Sequence, residues 1–76
     1  MITKRTMAAA GLRPGELAQV IEVAAGTVSR YNPESPQHIT PPAAVDALIY
    51  VLGQLPTDLR AAMCADLLAG RHRAES

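Results

Sequence analysis

The chain predicts an all-α fold, a compact bundle of about five helices that includes a helix-turn-helix, and three observations carry that prediction. Alanine is the commonest residue and strongly favours helix. Apolar residues recur at helical spacing, and no segment alternates with period two over a useful length, so no strand is expected. Glycine and proline fall at intervals that would start and stop short helices.

Taken in order, the first helix is expected over Thr3–Ala10, with Ile2, Met7 and Ala10 facing inward and Gly11 closing it. Leu12 anchors the link to the next helix. Pro14 suits a first helical position, where its missing N–H costs nothing, so the second helix should run from Pro14 to Ile21. The third should run from Ala25 to Tyr31. NPESPQHIT then breaks helix, because Pro33 and Pro36 lack donors and restrict the residues before them. Thr40 followed by Pro41 reads as a cap and a first helical residue. Val45, Leu48, Ile49 and Leu52 follow at i, i+3, i+4 and i+7, a single apolar stripe that Gly53 should end. Leu55-Pro56 opens the fifth helix, with Asp58 in the first turn where the helix dipole favours an anion. Gly70 should terminate it.

Seventy-six residues allow one domain with a thin stability margin, expected over residues 1–70, followed by a frayed polar tail over 71–76. The chain is 49% hydrophobic, too apolar for disorder. With no Phe or Trp, and only Tyr31 and Tyr50 aromatic, the core must be aliphatic. No apolar run approaches the ~18 residues of a membrane span. MITKRTMAAAGLRPGEL offers only a short apolar stretch after its basic residues, so neither a membrane nor a secretory signal is expected, and a cytoplasmic location is. Cys64 stands alone inside a helix. It reads as a small buried apolar residue sooner than as a reactive thiol.

Function is narrowed most by GLRPGELAQVIEVAAGTVSRY. Leu17 and Ile21 share a helix face, Val28 and Tyr31 share the inner face of the next helix, and Ala18 falls where the two would cross. Val23 plugs the turn between them. A helix-turn-helix of this kind presents the outer face of its second helix to the major groove of double-stranded DNA. The formal net charge is zero, which is unusual for a nucleic-acid binder. Its distribution is uneven. Residues 1–31 carry Lys4, Arg5, Arg13 and Arg30 against Glu16 and Glu22, whereas acidic groups outnumber basic ones in residues 32–76.

From about Leu12 to Leu52 the chain resembles the lambda-repressor-like (Cro and phage-repressor) helix-turn-helix family. The resemblance is carried by LRPGELAQVIEVAAGTVSRY, then a loop, then PPAAVDALIYVLG. It implies a DNA-binding transcriptional repressor of phage, prophage or plasmid type that sits on a palindromic operator as a homodimer. By position, Ala25, Gly26, Ser29 and Arg30 would face base edges. Thr27 and Asn32 would lie near phosphates, as would Arg13, Pro14 and Gly15 at the amino end of the second helix. Arg30 could read one guanine with two bonds, or serve only as a phosphate contact or a solvated arginine. Gln37, His38 and Thr40 are either phosphate contacts or part of a solvated connector. Three residues depart from the family pattern. Glu22 stands where the turn usually has Gly, Ala24 where a Ser usually caps the recognition helix, and Gly26 inside that helix. Either Ala25 and Gly26 let the backbone approach the groove floor, or this copy of the motif is degenerate.

The fifth helix carries two apolar stripes, Leu59, Met63 and Leu67 beside Cys64 and Leu68. One suffices for a core, so the other is expected to make a two-fold contact, with help from Tyr50 and Val51. The alternative is that both are buried within the protomer. No enzyme is expected, nor a cofactor, metal site or small-molecule ligand. His38 and His72 are distant from Cys64, the carboxylates are spaced for solvated helix faces, and no phosphate-binding or metal-ligand motif occurs. The rival to a DNA-binding regulator is a small helical protein-interaction module, an inhibitor or adaptor, built on the same scaffold without DNA binding.

Overall fold

Five helices and no strand make up the computed structural model, which describes residues 1–73. They are α1 (Lys4–Ala10), α2 (Pro14–Ile21), α3 (Ala25–Tyr31), α4 (Ala43–Gln54) and α5 (Thr57–Leu68). No helix among the described residues is long and apolar enough to cross a membrane. The core is aliphatic apart from Tyr31, and Leu17 and Ile49 are its largest fully buried side chains.

Threonine does at the start of α1 what Glu usually does in a capping box. The Thr3 hydroxyl accepts from the Thr6 N–H at 3.1 Å, and the Thr6 hydroxyl accepts from the Thr3 N–H at 2.8 Å. Gly11 closes the helix at φ 78°, its N–H donating to the Met7 and Ala8 carbonyls. Ile2, Met7 and Ala10 are buried as the sequence predicts. α1 packs chiefly on α4, where Gly53 presents no side chain to Ala9.

Both ends of α4 differ from expectation, each because of a proline. Pro42 keeps Pro41 out of the helical region, so the first helical residue is Ala43 rather than Pro41. Gly53 does not end the helix; it continues to Gln54 and stops at extended Leu55 (ψ 148°), the residue before Pro56. Val45, Ile49 and Leu52 are buried and Leu48 half-buried, so the stripe read from the sequence does face the core.

Arg60 holds the α4–α5 link. Its Nε donates to the Leu52 carbonyl at 3.0 Å, which also takes the Leu55 N–H at 3.3 Å, and its Nη2 donates to the Leu55 carbonyl at 2.8 Å. Cys64 is buried, and its thiol donates to the Ala10 carbonyl at 3.3 Å. Burial, and then the negative charge of Glu16, push that thiol's pKa above its ordinary value, with Arg60 pulling the other way. Cys64 is therefore removed from the expected two-fold contact, because it is spent on joining α5 to α1. Leu68 is half-buried against the same core, while Leu59 and Met63 are exposed.

After Gly70 (φ 76°) the chain turns back instead of fraying at Arg71. Arg73 donates to the Gln19 carbonyl at 3.4 Å and lies 3.9 Å from the Glu22 carboxylate, while Gln19 Nε2 donates to the Leu68 carbonyl at 3.3 Å. The expected tail continues over residues 74–76, which lie outside the described residues.

Ile49→Ala should lower the free energy of unfolding in urea by about 2–5 kcal/mol, since it deletes buried volume that the α1–α4 contact cannot refill. Tyr50→Ala, one residue on but exposed, should stay within about 0.5 kcal/mol of the parent protein.

Candidate nucleic-acid interface

α2 and α3 are joined by Glu22, Val23 and Ala24 and pack on each other through residues that the sequence marks as inner. Leu17, Ala18, Val28 and Tyr31 are buried, and Ile21 and Val23 lie half-buried against them. The turn is built by Glu22 in the left-handed region, at φ 60° and ψ 48°. It is the one non-glycine residue with positive φ among those described. There it lets the Val23 N–H reach the Ala18 carbonyl at 3.0 Å. A side chain in that conformation costs roughly 1–2 kcal/mol. Ala24 then begins α3 from extended backbone with no side-chain cap, so α3 relies on packing more than on its own ends.

The opposite face of α3 is open. Ala25, Gly26, Ser29 and Arg30 are exposed and Thr27 is half-buried. The Ser29 hydroxyl points back along the helix toward the Ala25 carbonyl at 3.5 Å. At Gly26, and at Gly15 in the first turn of α2, an added Cβ would meet nothing within 4 Å, so packing requires glycine at neither position.

Side chains from three helices meet beside this face. A groove of 260 Å³ is lined by Thr3 and Lys4 at the start of α1, Pro14 at the start of α2, and Ser29 and Asn32 at the end of α3, together with the core residues Ile2, Met7 and Val28. A second groove runs on from it past Lys4, Arg5, Asn32, Pro33 and Glu34. Of the residues expected at a nucleic-acid contact, Pro14, Ser29 and Asn32 are thus brought together with Lys4, which the sequence offers as a charge for positioning the DNA backbone. Its place beside Ser29 and Asn32 is not announced by the chain order, because all of α2 lies between α1 and α3. Arg13, Gly15, Ala25 and Gly26 are exposed but line neither groove.

Two expected contact residues already have partners. Asn32 Oδ1 accepts from the Glu34 N–H at 2.9 Å, a bond that does not use its amide donors. Arg30 Nε donates to the Gln37 carbonyl at 3.0 Å. The other basic side chains divide sharply. Arg60 and Arg73 serve backbone carbonyls and Arg71 lies 3.7 Å from Asp66. Lys4, Arg5 and Arg13 are exposed and make no ion pair among the described residues. The Arg13 backbone N–H is taken by Glu16 Oε1 at 2.9 Å, so one carboxylate already satisfies part of the amino end of α2.

Sharing no residue with these two grooves, Leu59, Met63 and Leu67 line an open groove of 350 Å³ with Leu48, Val51, Leu52 and Leu55, every one of them apolar.

Glu22→Gly should raise stability by about 1 kcal/mol by relieving the left-handed side chain, and the long, exposed pair with Arg73 that it removes contributes little. Ala24→Ser should add about 1 kcal/mol by supplying the missing cap. Urea unfolding of the two single variants checks both values.

Compared with models of protein families, with curated proteins and with solved structures, the chain matches none.

Proposed function

We propose that this chain is a sequence-specific regulator of transcription that binds double-stranded DNA, a cytoplasmic repressor of the lambda-repressor-like type acting as a homodimer on a palindromic operator. The observation that carries the reading is the open outer face of α3, bordered by a groove whose walls come from the amino ends of α1 and α2. Exposed Lys4, Arg5 and Arg13 without ion-pair partners supply the charge for phosphates on that half of the molecule, although the whole chain is neutral. Ala25 and Gly26 lack bulk where a helix would enter the major groove, and Ser29 and the amide of Asn32 add donors beside them.

One such surface is small, and two copies about 34–36 Å apart would read two half-sites on one side of a duplex. The groove between α4 and α5 supports a second copy as its occupant. Its lining carries no charge, so a two-fold contact of this patch with itself meets no like-charge repulsion. The contact would use Leu59, Met63 and Leu67 with Val51, all exposed or half-buried in the protomer, but not Tyr50, which lines a separate groove with Thr6 and Ala9 of α1. The same groove favours the rival reading, a protein-interaction module that does not bind DNA.

Band-shift titration on DNA from upstream of the chain's own reading frame, over a series of salt concentrations, tests the proposal. A site-specific complex that weakens steeply with salt is expected. Equal weak binding to every duplex, or no retention, would contradict it. Lys4→Ala and Arg13→Ala should each weaken binding uniformly across sequences and reduce the salt slope by about 1. Gly26→Ala should stabilise the fold by about 1 kcal/mol yet bind DNA more weakly, because the added methyl projects from the open face of α3.

A further inference from the structure

The segment between α3 and α4 carries its own internal framework. The Ser35 N–H donates to the Asn32 carbonyl at 2.9 Å and the His38 N–H to the Ser35 carbonyl at 3.2 Å. The Gln37 N–H donates to the Ser35 hydroxyl at 3.3 Å. These bonds make two successive tight turns, but they do not fix the segment to the rest of the protein. Ile39 does so at its far end by packing half-buried against the core, and Arg30 does so twice. Its carbonyl accepts from the Ile39 N–H at 2.9 Å, and its Nε donates to the Gln37 carbonyl at 3.0 Å. Between these attachments and Asn32, the loop presents Pro33, Glu34, Pro36, Gln37 and His38 to solvent beside the open face of α3.

We infer that Arg30 is a positioning residue: its guanidinium clasps the 32–39 loop against α3 and sets where Gln37 and His38 stand beside the DNA-facing surface, instead of reading a base itself. The inference rests on the proposed function for its effect on DNA, but the clasp belongs to the free protein. Arg60 shows a fuller form of this contact at the α4–α5 link, where two guanidinium donors serve two backbone carbonyls, whereas Arg30 uses its Nε alone. A planar guanidinium whose Nε is held on a carbonyl has a fixed orientation. A lysine ammonium keeps the charge but lacks that fork.

Two variants of the full chain, Arg30→Ala and Arg30→Lys, separate the roles, with Arg30 outside the core so that both retain the helical fold. In the free proteins, exchange of the Ile39 amide should speed up by about tenfold in both, and the Glu34–Gln37 backbone should gain motion in ¹⁵N relaxation. On duplexes with single base-pair changes, both variants should lose affinity by a similar factor on every duplex and keep the parent's order of preference. Unchanged exchange and relaxation in both variants would overturn the clasp. Loss of preference at one base pair in Arg30→Ala would return Arg30 to base reading, and full affinity in Arg30→Lys would make it a phosphate contact. If the parent protein binds no DNA, the exchange measurement still decides the clasp, so failure of the proposed function and failure of this inference are told apart.

Discussion

The contact between α2 and α3 is the constraint on which the candidate surface depends. Leu17, with no exposed area, and Ala18 share one buried cluster with Val28 and Tyr31, and that packing aims the other side of α3 outward. α3 has seven residues, too few for stability on its own, lacks a side-chain cap and contains Gly26. The unfavourable turn at Glu22 persists because it allows Leu17 and Ala18 to meet Val28 and Tyr31. Burial of four side chains outweighs the ~1–2 kcal/mol of local strain.

Arginine chemistry arranges the rest. Arg30, Arg60 and Arg73 each donate to backbone carbonyls, at the α3–α4 loop, at the α4–α5 link and at the end of α2. In a chain this small such bonds substitute for the core that longer connections would need. Lys4, Arg5 and Arg13, by contrast, are exposed and make no ion pair among the described residues, although the whole chain has no net charge. Net charge alone would have argued against a nucleic-acid partner, and the commitments of individual side chains change that argument.

Local signals carried much of the fold. Pro14 and the apolar spacing placed α2 and α3, Gly11 and Gly70 both adopt the left-handed conformation that closes a helix, and Glu22 occupies the strained turn position its place in the chain implied. The misses share a cause, since each depends on what another residue does. Pro41 was a credible first helical residue until Pro42 is considered, and Gly53 a credible stop except that the helix runs on until Pro56 holds Leu55 extended. Cys64 and Met63 are neighbours on one helix, but only the position of α1 decides which is buried. For the site, the outward placement of Ala25, Gly26 and Ser29 followed from the resemblance to the helix-turn-helix family, and the three are exposed. The approach of Lys4 to Ser29 and Asn32, and the turning of Arg30 onto Gln37, were not, because both arise from tertiary packing and loop closure.

The most direct test of the central claim is a map of backbone amide shifts in the ¹⁵N-labelled protein as duplex DNA from upstream of its own reading frame is added. If the surface ordered by the α2–α3 contact receives DNA, the shifts concentrate at Lys4–Arg5, Arg13–Glu16 and Ala25–Asn32, with little change along the apolar groove between α4 and α5. A spectrum that does not respond, or one that responds only at Leu48–Val51 and Leu59–Leu67, would contradict it.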